Sequence, residues 1–174
     1  MSQTVWSFDS FKALSAQSLY ALLALRSEVF VVEQACAFQD LDGLDAQAWH
    51  LQGRSTAGGA LLAYARCLPP GAKYAEASIG RVATRESARG TGLGHALMRQ
   101  ALACVERQWG PQAIRIGAQA RLERFYGQHG FKRVGEAYLE DGIEHIEMVR
   151  RVGERSAISG EADEQAGKPV QSGK

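Results

Sequence analysis

The chain has 174 residues, of which 45% are hydrophobic and 22% charged. These values are those of a soluble globular chain that is long enough for one domain with a hydrophobic core. Lys and Arg total 20 and Asp and Glu total 19, so the net charge is only +1. Such a balance gives no overall attraction to nucleic acid or to an anionic membrane, and we expect neither as a partner.

The sequence shows no sign of an exported, membrane-spanning or metal-binding protein. Its longest apolar run, residues 58–65, is far shorter than the roughly 18 residues of a membrane span. Residues 1–9 have no basic start followed by an apolar stretch, so we expect no secretory signal. Cys36, Cys67 and Cys104 are odd in number and far apart, which predicts neither disulfides nor a metal site. We therefore expect a cytoplasmic protein with reduced thiols and no metal.

The first half of the chain is predicted to contain strands and one helix. In order, these are a strand at 4–8, a helix from Ser15 to about Phe30, an acidic loop at 40–45, and strands at 48–52 and 59–68. Ser15 suits the start of a helix because its hydroxyl can accept a hydrogen bond from a free N–H group of the first turn. The turn at 54–58 lies between two strands, which predicts a hairpin.

The second half mixes strands with two helices. The pattern predicts a strand at 77–84, a glycine-rich turn at 90–94, a helix to Trp109, a strand at 114–119, a helix at 122–129 and strands at 131–138 and 143–150. Leu93, Leu97 and Ala101 recur at helical spacing. Hairpins and strand–helix crossovers together predict an α/β fold of the α+β kind, with a mixed, mostly antiparallel central sheet and helices on both faces.

The composition changes after about Arg151. Residues 153–174 contain mainly Gly, Ser, Glu, Gln and Lys, with isolated small apolar residues. Such a segment buries too little apolar surface to offset the entropy lost on ordering. We therefore predict one domain at 1–152, followed by a poorly ordered tail at 153–174.

The glycine-rich turn carries the strongest chemical signal. Residues 89–94 read Arg-Gly-Thr-Gly-Leu-Gly and lie between a strand and an amphipathic helix. Glycine allows close backbone approach and positive φ, and the first N–H groups of a helix have no partner within it. The helix dipole adds partial positive charge there, so the turn predicts a site for phosphate or pyrophosphate.

The spacing of the glycines excludes two common phosphate sites. A Walker A loop has four residues between its glycines and then Lys-Ser or Lys-Thr, which this turn does not supply. A dinucleotide fingerprint beginning at Gly90 needs Gly or Ala at position 95, where His95 stands. The spacing Arg-x-x-Gly-x-Gly, formed by Arg89, Gly92 and Gly94, remains as the phosphate-site pattern after both are excluded.

The segments around this turn resemble a known family. After residues 89–94 come a strand, a helix containing Phe125-Tyr126, and then Gly130-Phe131. This order resembles the GNAT superfamily of acetyl-CoA-dependent N-acetyltransferases. Four further stretches are similar to its ElaA-like branch, and the resemblance covers about residues 5–150. The four stretches are residues 26–34, 40–45, 79–82 and 140–148.

The resemblance implies that acetyl-CoA is the co-substrate and implies where it binds. Its pyrophosphate is expected on the turn formed by Arg89, Gly90, Thr91, Gly92, Leu93 and Gly94. Its pantetheine arm is expected along the end of the preceding strand, at Val82, Ala83 and Thr84. The family's fourth and fifth strands part to admit the thioester, which is expected to lie near Ala118, Leu122 and Phe125.

The resemblance also implies direct attack by an amine on the thioester, with Tyr126 donating a proton to the thiolate that leaves. The N–H of Ala83 is a candidate donor to the developing oxyanion. The general base stays open on sequence alone, and we take His145 and Glu33 as the candidates for the catalytic site. The full set of alternatives is Glu28, Glu33, His50, Glu76 and His145.

Two further expectations concern ligands and partners. The loop with Asp40, Asp42 and Asp45 fails as a calcium loop, because position 12 counted from Asp40 is Leu51 and not Glu, so we predict an Asx-type turn instead. The acceptor stays open between a small-molecule amine and a protein amine, and a homodimer stays open as well. A non-catalytic coenzyme-binding or regulatory module with the same fold is the alternative function.

Overall fold

The computed structural model describes residues 4–57, 59–154 and 157. Its strands are β1 Thr4–Ser10, β2 Trp49–Ser55, β3 Leu61–Leu68, β4 Ala77–Thr84, β5 Ile114–Gln119, β6 Lys132–Glu140 and β7 Ile143–Arg150. Its α-helices are α1 Ala16–Arg26, α2 Leu93–Trp109 and α3 Glu123–Gly127. The tail predicted at 153–174 lies outside the described residues apart from 153, 154 and 157, and it stays a prediction.

The strands form a single sheet in the order β1-β2-β3-β4-β5-β7-β6. Neighbouring strands run antiparallel, with the exception of β4 and β5, which are parallel. The predicted hairpin is confirmed as the antiparallel pair β2–β3. The predicted class, a mixed and mostly antiparallel sheet with helices, is therefore confirmed.

Helices α1 and α2 cover opposite faces of this sheet. Leu97 of α2 belongs to a core cluster that contains Ile116 of β5, whereas Leu25 of α1 belongs to a second cluster. Neighbouring residues of β3 divide between the two clusters, Tyr64 in the second and Ala65 in the first, because side chains of a strand point to alternate faces. On its own face, α1 packs against β3 and β4.

Helix α1 starts as predicted but ends earlier. The Ser18 N–H donates to the Ser15 hydroxyl at 3.1 Å, which confirms the N-cap. The α-helix ends at Arg26, and a wider π-helical turn continues over Ser27–Glu33. The apolar stripe continues through this turn with Val29, so the pattern shows no break where the hydrogen bonding changes.

Strands β4 and β5 are joined at their beginnings and then part. In the described chain, their pairs are Ala77 with Ile114 and Ser78 with Arg115. β4 is also bulged against β3, and Arg81 within the bulge has a φ of 49°. That backbone conformation is uncommon for a residue with a side chain, so the surroundings must hold it. The gap between β4 and β5 opens directly after the last pair.

A closed ring of ion pairs holds the bulge. Each aspartate of the acidic loop bridges two arginines, and each arginine bridges two aspartates, at distances of 2.6 to 3.5 Å. The guanidinium of Arg26 is fully buried, and that of Arg66 is nearly so. The ring joins α1, β3 and β4 to the loop that follows α1. Its members, in order, are Arg26, Asp40, Arg81, Asp42, Arg66 and Asp45.

Candidate active site

The glycine turn forms an open bay at the N-terminus of α2. Gly92 is the N-cap of the helix with a φ of 83°, and it offers no side chain to the first N–H groups. A Cβ added to Gly90 or Gly92 would meet no atom within 4 Å. Thr91 and both glycines are exposed. The bay therefore presents unpaired N–H groups to space that no other part of the described chain fills, which fits a pyrophosphate.

Gly94 supports the same interpretation. Its φ is not positive, and a Cβ there would lie 3.7 Å from the ring of Phe125, an ordinary contact distance. The fold would therefore accept alanine at this position in the first turn of a helix, where alanine has the higher helix propensity. A glycine that the fold does not require is consistent with close approach of a ligand. Phe125 of α3 closes this side of the bay.

At the end of β4, the main-chain N–H of Ala83 points in a different direction from the one predicted. Arg85 donates its backbone N–H to Leu62 of β3 at 2.8 Å, and Tyr64 pairs with Ala83 in the same register. Hydrogen-bonded pairs alternate along an antiparallel ladder, so the main-chain groups of Ala83 are directed at β3 and those of Thr84 away from it. The prediction that the Ala83 N–H is an oxyanion donor is therefore wrong. Thr84 remains the candidate to pair with an extended ligand.

Arg89 links the glycine turn to both sides of the site. Its side chain donates to the Thr84 carbonyl from Nε at 3.1 Å and from a terminal nitrogen at 2.8 Å. That terminal nitrogen also donates to the Glu33 carboxylate at 2.7 Å. Glu33 was predicted as a catalytic candidate, and here its carboxylate is engaged by Arg89. The two residues join the end of the π-helical turn to the glycine turn.

The other predicted coenzyme residues lie along the α2 face of the gap. Val82, Leu122 and Phe125 pack against the first core cluster, to which Leu93 and Ala118 belong. At the end of β5, the Gln119 side chain donates to that of Gln34 at 3.1 Å, which joins β5 to the chain after the π-helical turn. These five predicted coenzyme residues therefore lie close together, within one core cluster or against it.

Tyr126 lies on α3 within this core cluster and is 7% exposed. Its ring meets the rings of Phe125 and Phe131 edge to face. Burial raises the pKa of Tyr126 to about 12, although the positive charge of Arg121 opposes the shift. The phenol therefore keeps its proton at neutral pH and can act as a donor.

His145 lies on β7 with one ring nitrogen already assigned. Its Nδ1 is 2.8 Å from the Ile143 carbonyl, which can only accept, so Nδ1 carries the proton and Nε2 is the free acceptor of the neutral ring. Nε2 lies 3.9 Å from a carboxylate oxygen of Glu140. The ring stacks on Tyr138, with centroids 5.9 Å apart. The Nε2 atom is therefore the ring nitrogen that is left to accept a proton.

The remaining candidate bases are occupied by structural contacts. Glu28 pairs with Arg85 at 2.9 Å, and Glu76 pairs with Arg115 at 2.9 Å. His50 is fully buried, with one nitrogen 2.8 Å from the Tyr64 hydroxyl and the other 3.0 Å from the Asp45 carbonyl. Burial lowers the pKa of His50 below the usual value, so it is held neutral as part of the core.

The acidic loop forms the expected turn, since the Leu44 N–H donates to Asp42 Oδ1 at 3.1 Å. The ion-pair ring that it builds was not predicted. No group of three or more His, Cys, Asp or Glu suited to a metal occurs in the part of the chain that the structure describes. Within residues 4–57 and 59–154, none of the helices has the length and apolar character needed to cross a bilayer.

Sequence reasoning missed two aromatic residues near the gap. Tyr74 lies in the connection before β4, and Tyr138 lies on the edge strand β6. Both hydroxyls lie over Gly117 of β5. The signal available was a glycine in the middle of a strand, which often marks the close approach of another group.

Comparison with known proteins finds a matching family model and similar relatives. A family model described as an acetyltransferase (GNAT) domain matches residues 56–152. The chain is 45% identical to a UPF0039 protein of Synechocystis over 84% of this chain and 95% of that one. It is 42% identical to Protein ElaA of Escherichia coli over 84% of this chain and 96% of that one. A crystal structure of an acyl-CoA N-acyltransferase from Pseudomonas aeruginosa is similar at a TM-score of 0.81 and 46% identity, over 85% of this chain and 99% of that one.

Proposed function

The chain belongs to the GNAT acetyltransferase family, and we propose that it transfers an acetyl group from acetyl-CoA to the primary amine of a small molecule or a protein. The observation that carries the proposal is the open gap between β4 and β5, directly beside the glycine bay at the start of α2. A thioester needs such a gap to reach an acceptor, and its pyrophosphate needs such a bay.

In this proposal the main chain holds most of the co-substrate. The N–H groups at residues 90–94 bind the pyrophosphate, and Arg89, whose charge is paired with Glu33, holds the edge of the bay in place. Thr84 offers its main-chain N–H to the pantetheine arm, as a neighbouring strand would, whereas its carbonyl is held by Arg89. Val82, Ala118, Leu122 and Phe125 supply the apolar wall.

The chemistry needs one proton removed and one supplied. The amine nitrogen forms a bond to the carbonyl carbon of the thioester, and the carbon–sulfur bond breaks. Tyr126 donates its proton to the sulfur, which leaves as a thiol. The amine attacks in its neutral form, and the Nε2 atom of His145 accepts the one proton that its nitrogen loses as the amide forms. We assign the reaction to the cytoplasm, where the unpaired Cys36, Cys67 and Cys104 stay reduced.

Two measurements test the proposal. Acetyl-CoA at about 100 times its dissociation constant should stabilise the native state by about 2.7 kcal/mol, whereas ATP should not. Release of free thiol from acetyl-CoA should then depend on an added amine, in a panel of alkylamines, polyamines, amino sugars and peptides. A protein that acetyl-CoA stabilises but that releases no thiol with any amine is a non-catalytic coenzyme-binding module, and the proposal fails.

A further inference from the structure

Two tyrosine hydroxyls converge over Gly117 of β5. A Cβ built on this glycine would lie 3.1 Å from the Tyr138 hydroxyl and 3.2 Å from the Tyr74 hydroxyl. Contacts this short are tighter than most that a real Cβ makes, so glycine is what leaves both hydroxyls in place. Among the residues that the structure describes, neither hydroxyl has a hydrogen-bond partner. The pair is therefore free to bind something else.

The hydroxyl pair lies at the mouth of the gap on the face opposite α2. Ala118, the next residue of β5, is buried in the cluster with α2, so Gly117 points to the other face. If the pairing of β4 and β5 continued past Ser78, Gly80 would stand opposite Gly117. Gly117 lies two residues beyond Arg115, the last paired residue of β5, so the tyrosines flank the beginning of the gap. An acceptor entering here meets a thioester held from the other face.

The charges around the pair favour a cation. Arg115 lies between the carboxylates of Glu76 and Glu147, at 2.9 and 2.8 Å, which leaves one negative charge in that group. Glu140, near His145, adds a second negative charge, and its side chain is 53% exposed. Lys73 lies over the Tyr74 ring at 5.3 Å and offsets one of them. Together, these five side chains carry a net charge of −1.

We infer that Tyr74 and Tyr138 form the acceptor site of the proposed reaction, and that the acceptor is an amine with a second cationic group. The inference rests on the proposed function, since it identifies what that reaction acetylates. The hydroxyls accept hydrogen bonds from the ammonium group. Glu140 and the ring of Tyr138 attract the second cation. An acceptor with a carboxylate in that place is repelled by the same charges.

Three acceptors that share a pentamethylene chain test the charge preference. Cadaverine, n-hexylamine and ε-aminocaproate end in an ammonium group, a methyl group and a carboxylate respectively. The kcat/KM of thiol release should be highest for cadaverine and lowest for ε-aminocaproate, and these two should differ by about tenfold or more, on the scale of one charged hydrogen bond. n-Hexylamine should fall between them.

Variants test the contributions of Tyr138 and Glu140 to acceptor binding. Tyr138→Phe should lower kcat/KM for cadaverine about tenfold and leave the KM for acetyl-CoA unchanged. Glu140→Gln should reduce the preference for cadaverine over n-hexylamine. Tyr20→Phe is the matched control, because Tyr20 on α1 is 79% exposed, and it should change neither value. Equal stability of the variants by thermal unfolding excludes a folding defect.

The outcomes separate this inference from the function on which it rests. Equal kcat/KM for the three acceptors, a preference for ε-aminocaproate, or an unchanged Tyr138→Phe variant overturns the acceptor site and leaves the transferase proposal intact. Rejection of cadaverine when another amine in the wider panel is acetylated does the same. If no amine in the wider panel is acetylated, the proposed function fails and this inference fails with it.

Discussion

The Nε atom of Arg81 donates to Asp40 Oδ1 at 2.6 Å, at a point of β4 where the backbone of Arg81 has a φ of 49°. A terminal nitrogen of the same side chain donates to the Asp40 carbonyl at 2.9 Å. The loop after α1 thus holds an unfavourable backbone conformation in a strand that borders the gap. Positive φ costs a residue with a Cβ about 1–2 kcal/mol, and the ion pair offsets this cost.

Two substitutions of Arg81 distinguish the effect of its backbone conformation on stability from that of its ion pair. Arg81→Ala and Arg81→Gly both remove the guanidinium, but glycine adopts positive φ without strain. We expect Arg81→Gly to be more stable than Arg81→Ala by about 1 kcal/mol and to keep more of the kcat/KM. Urea unfolding and thiol-release kinetics measure the two quantities. Equal behaviour of the variants would mean that the bulge does not need this conformation.

Asp45→Asn should make the protein less stable at neutral pH. Burial disfavours the charge of Asp45, but the hydrogen bonds and charges of Arg26 and Arg66 outweigh it and hold its pKa below the usual value. A lowered pKa stabilises the fold above about pH 4, the ordinary range of the group, and that contribution is lost as the pH falls further. We expect a loss of about 3 kcal/mol at pH 7 that shrinks toward pH 3. Urea titrations at both pH values check it, and a constant difference contradicts it.

His129 should make stability fall between about pH 6.5 and 4. Burial, followed by the charges of His95, Arg99 and Arg150, lowers the pKa of His129 to about 4. The unfolded chain therefore takes up its proton first on acidification, so stability rises with pH across this window. We expect His129→Gln to reduce the stability difference between pH 7 and 4.5 by about 2 kcal/mol. Parallel pH curves for the two proteins would show that His129 does not titrate in this way.

Tyr126→Phe tests the proton donor. The substitution keeps the ring and its contacts with Phe125 and Phe131, so the fold should be retained. Loss of a general acid should lower kcat about 100-fold, whereas the thermal shift with acetyl-CoA should not change. A kcat that stays at the native value would remove Tyr126 from the proposed chemistry.

Gly94→Ala tests the glycine bay. Its Cβ makes an ordinary contact with Phe125, and alanine favours a helix, so stability should stay the same or rise by up to about 1 kcal/mol. The same methyl group should obstruct the pyrophosphate and raise the KM for acetyl-CoA about tenfold. Gly127→Ala on α3 is the control, since its Cβ meets no atom within 4 Å, and it should leave that KM unchanged. A KM that is the same in both variants contradicts the assignment of the bay.

Local patterns predicted the fold well, whereas contacts between distant segments could not be predicted. The bounds of β4, β5 and β7 are those expected, because each strand lies between clear turn signals. The direction of the Ala83 N–H depends on its register with Tyr64, which sequence spacing does not reveal. The aspartates at 40–45 were expected only to form a turn, because their arginine partners lie on three separate elements. The convergence of Tyr74 and Tyr138 likewise depends on how a loop and an edge strand meet β5.

The ion-pair ring limits which amino-acid substitutions this chain can tolerate. Its six side chains carry three positive and three negative charges, so replacing one aspartate by its amide leaves an unmatched guanidinium in a place where water has little access. Two compensating substitutions, one acidic and one basic, are needed to keep the charges equal. Any single substitution of Arg26, Arg66 or one of their aspartates is therefore expected to give a less stable protein, even when a second substitution could restore the balance of charge.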